Sequence, residues 1–278
     1  MMRVMKSLYK IFLFCFAALL FISLDMPAQD QEVFQSVYLD QADTVWIFTP
    51  ASTENTPDGK YPLIFLLHGW SGNYRHWDLM IDCQDYADRY GWIIVCPDGL
   101  YDSWYINSPV KSENQYRDFF FQDLYPFVME NYHVDPETVF ITGLSMGGHG
   151  ALYLFAQHPG KFKSAGSISG LLQFEAWKNH YALERVLGLD EEKIREGSVL
   201  RKYSVMGNLG KISATDKAIL VSCGTEDPFY DTNLRFVDSC RKYDIRHIFS
   251  EGPGAHNSDY WRREIDEHFE FFRESIRK

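Results

Sequence analysis

Three residues that lie far apart in the chain are of the types that together perform nucleophilic catalysis: Ser145, Asp227 and His256. A serine hydroxyl becomes a useful nucleophile only when a histidine removes its proton, and a carboxylate then holds that histidine in one tautomer. Ser145 stands between Gly143 and Gly147 in a Gly-x-Ser-x-Gly motif. The motif also occurs by chance, so its interpretation depends on the elements around it.

The residues on either side of Ser145 predict a strand, a sharp turn and a helix. The β-branched and aromatic run "TVFIT" precedes the motif, and "HGALYLFAQH" follows it with apolar residues at helical spacing. This is the setting of a nucleophile elbow, in which the serine backbone is strained and its neighbours lack bulk. The unpaired N–H groups at the start of the helix would then lie beside the serine.

Four glycines around the motif are expected to make this turn possible. Glycine weakens a helix by about 1 kcal/mol relative to alanine, so three of them in the first turns of a helix need a physical reason. We expect Gly143 and Gly147 to leave room for the turn, and Gly148 and Gly150 to let the helix approach the sheet.

The acid and the base are predicted at the ends of two later strands. "AILVSCGTED" indicates a buried strand whose carboxyl end carries Asp227, which we prefer over its neighbours Glu226 and Asp231. His256 follows a short predicted strand and a Gly-Pro-Gly turn, on a loop that can reach the serine more readily than a helical position can. Structural or solvent-exposed roles are expected for three other histidines, His149, His247 and His268.

The oxyanion that forms during attack on a carbonyl group needs two N–H donors already in position. One is predicted to be the backbone N–H of Met146, which follows the nucleophile. The second is expected from the loop in "FLLHGWSGNYRHW", where Gly69 permits a tight turn and Trp70 offers its backbone N–H. His68 is expected to hydrogen-bond this loop and hold the donor in place rather than to react.

Strand and helix signals alternate along most of the 278-residue chain, of which 46% is hydrophobic. "VFQSVYLD" and "TVWIFTP" predict a hairpin. The later apolar runs "PLIFLLHG", "WIIVCPDG", "TVFITG" and "AILVSCG" are typical of strands buried on both faces. The pattern predicts one α/β domain over residues 29–278, with a mainly parallel central sheet and helices on both faces. Residues 171–216 interrupt the alternation and are predicted to form a small inserted cap.

Residues 1–28 have the order of a secretory signal peptide. Arg3, Lys6 and Lys10 precede an apolar run, and the small residue Ala28 ends the segment. A membrane anchor is the alternative, although the apolar run is short for a membrane span. The sequence therefore predicts a secreted or periplasmic protein with no stable membrane partner once the signal is removed.

Charge and cysteine content exclude several function classes. The leader carries three basic and one acidic side chain, which leaves 24 basic and 37 acidic side chains and a net charge of −13. Such an acidic surface repels phosphate backbones, so we expect no nucleic-acid partner. The spacing of cysteines and histidines indicates no zinc site, and neither a metal nor an organic cofactor is predicted. Cys96 and Cys223 are expected to be buried apolar residues, with pairing left open among Cys83, Cys96, Cys223 and Cys240.

At these motifs the sequence resembles the esterase D / feruloyl esterase branch of the α/β-hydrolases, which also holds S-formylglutathione hydrolases and mycolyltransferases. The resembling stretches are "PLIFLLHGWSGNYRHW", "CPDGLYDSWYINSP", "DLYPFVMENYHVDPETVFITGLSMGGHGAL", "CGTEDPFYDTN" and "GPGAHNSDYWRREI". The resemblance implies a serine esterase with nucleophile, acid and base at Ser145, Asp227 and His256, and with oxyanion donors at Trp70 and Met146. Residues 171–216 match no motif of that family.

The predicted export signal disfavours a glutathione thioester and favours an ester of a small molecule or an oligosaccharide as substrate. Exported members of the family are often carbohydrate esterases, which remove acetyl or feruloyl groups from plant polysaccharides. Aromatic faces stack on sugar rings and phenolic acids alike. Substrate contacts are therefore predicted for Trp104 and Tyr105, and for Trp177 and Tyr181 in the cap. An acyltransferase and a non-catalytic carbohydrate-binding relative are the alternatives.

Overall fold

A computed structural model describes residues 29–52, 59–176 and 181–277 of the chain. The predicted signal peptide, residues 1–28, lies outside these described residues. Within them, no helix is both long enough and apolar enough to cross a membrane.

One eight-stranded sheet organises the molecule, in the order β1-β2-β4-β3-β5-β6-β7-β8. The first two strands pair antiparallel with each other, and β2 pairs antiparallel with β4. All the other neighbouring strands are parallel. The strands are β1 Gln29–Phe34, β2 Asp43–Phe48, β3 Tyr61–Leu67, β4 Ile93–Pro97, β5 Val134–Gly143, β6 Ser164–Ile168, β7 Ile219–Gly224 and β8 His247–Gly252.

Helices follow most of the strands and cover both faces of the sheet. The α-helices are α1 Asp78–Ile81, α2 Cys83–Tyr90, α3 Tyr116–Phe119, α4 Tyr125–Asn131, α5 Met146–Gln157, α6 Leu183–Leu187, α7 Glu191–Glu196, α8 Ser198–Tyr203, α9 Leu209–Ser213, α10 Tyr230–Lys242 and α11 Ser258–Ile276. A π-helical turn, Phe120–Leu124, joins α3 to α4, and short 3₁₀ turns span Pro159–Lys161, Phe174–Ala176 and Met206–Asn208.

The core has two layers because successive side chains of a buried strand point to opposite faces of the sheet. In β3, Leu63, Phe65 and Leu67 pack in the layer that also contains α5 and α10. Ile64 and Leu66 face the second layer, which contains α2 and α11. The sheet thus lies between two layers of helices, which is the predicted α/β-hydrolase architecture.

Two elements differ from the sequence prediction. "VFQSVYLD", residues 33–40, is predicted as a strand throughout, but β1 begins earlier, at Gln29, and shares only Val33 and Phe34 with that run. The hydroxyl of Ser36 then donates to the carboxylate of Asp123 at 2.5 Å, which turns the chain away from the sheet. The second difference is β6, whose sequence "SAGSI" gives little apolar signal although all five residues are buried.

The segment predicted as a cap consists of short helices where it is described. Residues 171–176 and 181–216 contain α6 to α9 and two 3₁₀ turns. Apolar side chains from this segment, among them Leu172, Phe174 and Leu183, belong to the same core layer as α5. The hydroxyl of Ser108 donates to the Val186 carbonyl at 2.6 Å, and Arg185 pairs with Asp102. The segment is thus attached to the loop that follows β4.

All four described cysteines are buried free thiols: Cys83, Cys96, Cys223 and Cys240. The sulfur atoms of Cys83 and Cys96 lie 3.9 Å apart, well beyond the bond length of about 2.05 Å in a disulfide. The prediction that Cys96 and Cys223 serve as buried apolar residues is confirmed.

His268 makes folding sensitive to acid. Its imidazole is fully buried, with Nδ1 2.8 Å from the Thr142 hydroxyl and Nε2 3.0 Å from the Ser222 hydroxyl. Burial lowers the pKa of His268 from 6.5 to about 3. Between those values the unfolded chain binds a proton that the folded chain does not, so the free energy of unfolding falls as the pH falls.

We therefore expect His268 to remove on the order of 2 kcal/mol of stability between pH 7 and pH 5. Urea unfolding at pH 7, 6 and 5 measures the effect. His268→Gln, which keeps hydrogen-bonding groups but does not titrate, should flatten the pH dependence by that amount. An unchanged slope in this variant would contradict the assignment.

Candidate active site

Ser145 lies in the tight turn between β5 and α5. Its backbone has φ 54° and ψ −116°, a conformation that a residue with a side chain rarely adopts. The turn is held by hydrogen bonds from the Ser145 N–H to the Ile168 carbonyl at 2.9 Å and from the Gly147 N–H to the Leu144 carbonyl at 2.7 Å. The predicted strand-turn-helix setting of the motif is present.

Glycine is required in this turn by close backbone contact. A Cβ atom at position 147 would lie 2.1 Å from the Leu67 carbonyl oxygen, and one at position 143 would lie 2.5 Å from the Gly147 oxygen. A Cβ atom at position 150 would meet the ring of Tyr105 at 2.2 Å, so Gly150 makes room for a loop side chain rather than for the sheet as expected.

Hydrogen bonds connect Ser145, His256 and Asp227 in one chain. The Ser145 Oγ atom lies 2.9 Å from His256 Nε2, and His256 Nδ1 lies 2.8 Å from Asp227 Oδ2. The three residues follow the carboxyl ends of β5, β8 and β7, which meet at one edge of the sheet. In this geometry the imidazole can accept the serine proton while the carboxylate stabilises the resulting imidazolium.

The structure also separates Asp227 from the two neighbouring acids. The Asp227 carboxylate is buried, and its second oxygen accepts the Phe229 N–H at 2.8 Å. Glu226 and Asp231 are both exposed. Asp227 alone among these three acids contacts the histidine.

The other histidines have structural environments. His149 is fully buried, and its two ring nitrogens lie 3.2 Å and 3.0 Å from the carbonyl oxygens of Trp104 and Tyr203. His247 begins β8 and lies 2.7 Å from the Ile245 carbonyl. Neither side chain lines the cavity that contains Ser145.

The loop after β3 is fixed by His68. Nδ1 of His68 lies 2.7 Å from the Gly69 carbonyl, and Nε2 accepts the Gly99 N–H at 2.7 Å. Nδ1 therefore carries the proton and donates to Gly69. The Gly72 N–H donates to the same carbonyl at 3.0 Å. Since C=O and N–H point in opposite directions across a trans peptide, these bonds orient the N–H of Trp70 away from His68.

Both predicted oxyanion donors belong to residues beside Ser145. Gly69 and Trp70 line the same cavity as Ser145, and a Cβ atom at position 69 would lie 3.4 Å from the Ser145 Cβ. Met146 is the first residue of α5, where backbone N–H groups have no partner within the helix. The two N–H groups are thus suitably located to receive an oxyanion formed at Ser145.

A cavity of about 180 Å³ opens above the serine. Its walls are largely aromatic and include two of the predicted substrate contacts, Trp104 and Tyr181. The Trp104 Nε1–H donates to the Tyr181 carbonyl at 3.1 Å, which connects the cap segment to the loop after β4. The remaining aromatic walls are Trp70, Phe229 and Trp261.

One predicted substrate contact is wrong, and another lies outside the described residues. Tyr105 is fully buried beneath the elbow, and its hydroxyl donates to the His68 carbonyl at 2.9 Å, so its ring does not line the cavity. Its neighbour Trp104 takes the wall position instead. Trp177 falls in the part of the cap that is not described.

Sequence reasoning missed four residues of the cavity wall: His76, Leu144, Phe229 and Trp261. Phe229 and Trp261 contact the catalytic candidate His256, with ring centres 4.8 Å and 5.0 Å away. Their positions, two residues after Asp227 and five after His256, are the only signal that could have indicated them. In the described parts of the chain no three His, Cys, Asp or Glu side chains lie close enough to hold a metal ion.

The fold and this site define a serine hydrolase of the α/β-hydrolase class. More specifically, the chain belongs to the esterase family, since the family model described as "Putative esterase" matches residues 36–272. The chain is similar to an S-formylglutathione hydrolase of Mus musculus, at 26% identity over 83% of this chain and 88% of that protein. It is also similar to an acetyl esterase of Caldicellulosiruptor saccharolyticus, at 23% identity over 86% and 95% of the two chains.

Solved structures share the fold. The fluorophosphonate-binding serine hydrolase F of Staphylococcus aureus has a TM-score of 0.76 at 22% identity, covering 88% of this chain and 98% of that one. A ferulic acid esterase has a TM-score of 0.72 at 24% identity, covering 90% and 98%. These similarities confirm the predicted α/β-hydrolase fold.

Proposed function

We propose that the protein is an exported serine esterase that removes acetyl or feruloyl groups from plant polysaccharides or their oligosaccharides. The observation that carries the proposal is the hydrogen-bonded chain from Ser145 through His256 to Asp227, at the base of an aromatic cavity. The predicted signal peptide supports export.

The reaction proceeds in two halves through an acyl-enzyme. Ser145 attacks the ester carbonyl and transfers its proton to His256, while the N–H groups of Trp70 and Met146 stabilise the oxyanion. His256 then gives the proton to the departing alcohol. Water, activated by His256, attacks the acyl group and restores the serine, releasing the carboxylic acid. Asp227 holds the imidazole in orientation in both halves.

The cavity suits an uncharged ester. Asp, Glu, Lys and Arg are absent from the described residues that line it, while aromatic rings form most of its surface. Such rings can stack on a sugar or on a phenolic acyl group. The names of the acetyl esterase and the ferulic acid esterase to which the chain is similar agree with the two acyl groups proposed.

A substrate panel tests this proposal. The purified protein should hydrolyse acetylated xylan or methyl ferulate faster than S-formylglutathione, and a fluorophosphonate probe should label it because the serine is activated. Released acetate and ferulate are measured directly. Labelling together with preference for the glutathione thioester would reject the polysaccharide substrate, whereas failure to label would reject the serine mechanism itself.

A further inference from the structure

The hydrogen-bonded chain of Ser145, His256 and Asp227 is called the relay below. One wall of the cavity extends from His256, the base of this relay, to a second histidine, His76. The ring of Trp261 contacts His256 edge to face at 5.0 Å between centres, and the ring centre of His76 lies 6.4 Å from that of Trp261. All three side chains line the cavity. In the proposed mechanism His256 protonates the departing alcohol, so this wall borders the alcohol portion of the ester.

Two nitrogen atoms of this wall are buried without a hydrogen-bond partner. Among the described residues, neither His76 Nδ1 nor Trp261 Nε1 contacts a donor or acceptor. Buried polar atoms in native proteins are nearly always paired, so an unpaired one needs a reason. Two such atoms on adjacent rings of one cavity wall point to a ligand that supplies the missing partners.

The electrostatics of the wall select the chemistry of that ligand. Burial and the nearby His68 lower the pKa of His76 to about 4, so its imidazole is neutral at pH 7. A neutral imidazole donates from one nitrogen and accepts at the other, and the indole of Trp261 only donates. A hydroxyl group, which both donates and accepts, fits this pair better than a carboxylate, which only accepts.

We propose that His76 and Trp261 form a subsite that hydrogen-bonds hydroxyl groups of an uncharged sugar on the alcohol side of the scissile ester. The inference rests on the proposed esterase function and narrows it to sugar esters. Both nitrogens are buried in this structure, and a Cβ atom at position 72 would lie only 2.7 Å from His76 Nδ1. The two rings must therefore turn toward the cavity as the sugar enters. The subsite contributes to specificity and takes no part in proton transfer.

Two acetate esters that each carry one six-membered ring and differ mainly in hydroxyl groups test the subsite: singly acetylated xylopyranose and cyclohexyl acetate. The measured quantity is the ratio of kcat/KM for the sugar ester to kcat/KM for the cyclohexyl ester. We expect His76→Leu and Trp261→Phe each to lower this ratio by about tenfold, the effect of losing one hydrogen bond. His76→Asn places an amide near the position of Nδ1 and should restore most of the ratio.

The controls separate this inference from the esterase function. If His76→Leu and His76→Asn lower both activities equally, the residue is only structural and the subsite is rejected. A wild-type ratio near one also rejects it, while hydrolysis of both esters leaves the esterase function intact. If the wild type cleaves neither ester and does not react with a fluorophosphonate, the proposed function fails instead.

Discussion

Ser145→Ala should lower the turnover of p-nitrophenyl acetate by at least about 10⁴-fold, because the variant lacks the hydroxyl that forms the acyl-enzyme in the proposed mechanism. The fold should survive, since the substitution removes only Oγ, whose hydrogen bond is to His256. Initial rates at saturating substrate and fluorophosphonate labelling measure the loss of the nucleophile. Circular dichroism establishes that the variant is folded.

Ser169→Ala provides a matched control for this experiment. Ser169 is also a buried serine with positive φ, 51°, but its hydroxyl lies outside the relay. Its alanine variant should keep turnover near that of the wild type. Labelling that persists in Ser145→Ala would show that a different residue is the nucleophile, and the mechanism proposed above would be wrong.

The second large effect is expected from Asp227→Asn, which should reduce kcat by about 10³- to 10⁴-fold. The carboxylate oxygen that lies 2.8 Å from His256 Nδ1 accepts a hydrogen bond from the N–H of that nitrogen. An amide group there can instead donate, which favours the tautomer with the proton on Nε2 and removes the base that Ser145 needs. The Phe229 N–H retains an acceptor, so the loop should stay folded.

Glu226→Gln is the matched control for Asp227. Glu226 is the adjacent acid, it is exposed, and its side chain is not in contact with the histidine. We expect near wild-type kcat from Glu226→Gln and a loss confined to Asp227→Asn. Equal kcat values in the two variants would remove Asp227 from the mechanism.

Much of the fold could be predicted because the strands that carry the site have strong local signals. The apolar runs of β3, β5 and β7 are continuous, and each is followed by a short loop that holds a chemically active residue. By contrast, β6 is built from small side chains whose burial depends on neighbouring strands rather than on their own hydrophobicity. The pattern of apolar residues in the sequence therefore does not predict such a strand.

The candidate relay was predictable for a similar reason, whereas the cavity wall was not. Parallel strands place their carboxyl ends at one edge of the sheet, so the order of strands already brings Ser145, Asp227 and His256 together. Whether Trp104 or Tyr105 faces the cavity depends on the path of a loop, and both have positive φ there. The rings of His76 and Trp261 come close together only through tertiary packing, and no local sequence pattern predicts that.

The positive φ of Ser145 affects which substitutions evolution favours at this position. A non-glycine residue held in this conformation costs on the order of 1 to 3 kcal/mol, a large share of the net stability of a typical domain. Glycine at position 145 would relax the turn and abolish the hydroxyl in one step. Selection for stability alone would therefore favour Ser145→Gly, a variant without the nucleophile. The strained serine is retained only where selection also acts on catalytic activity.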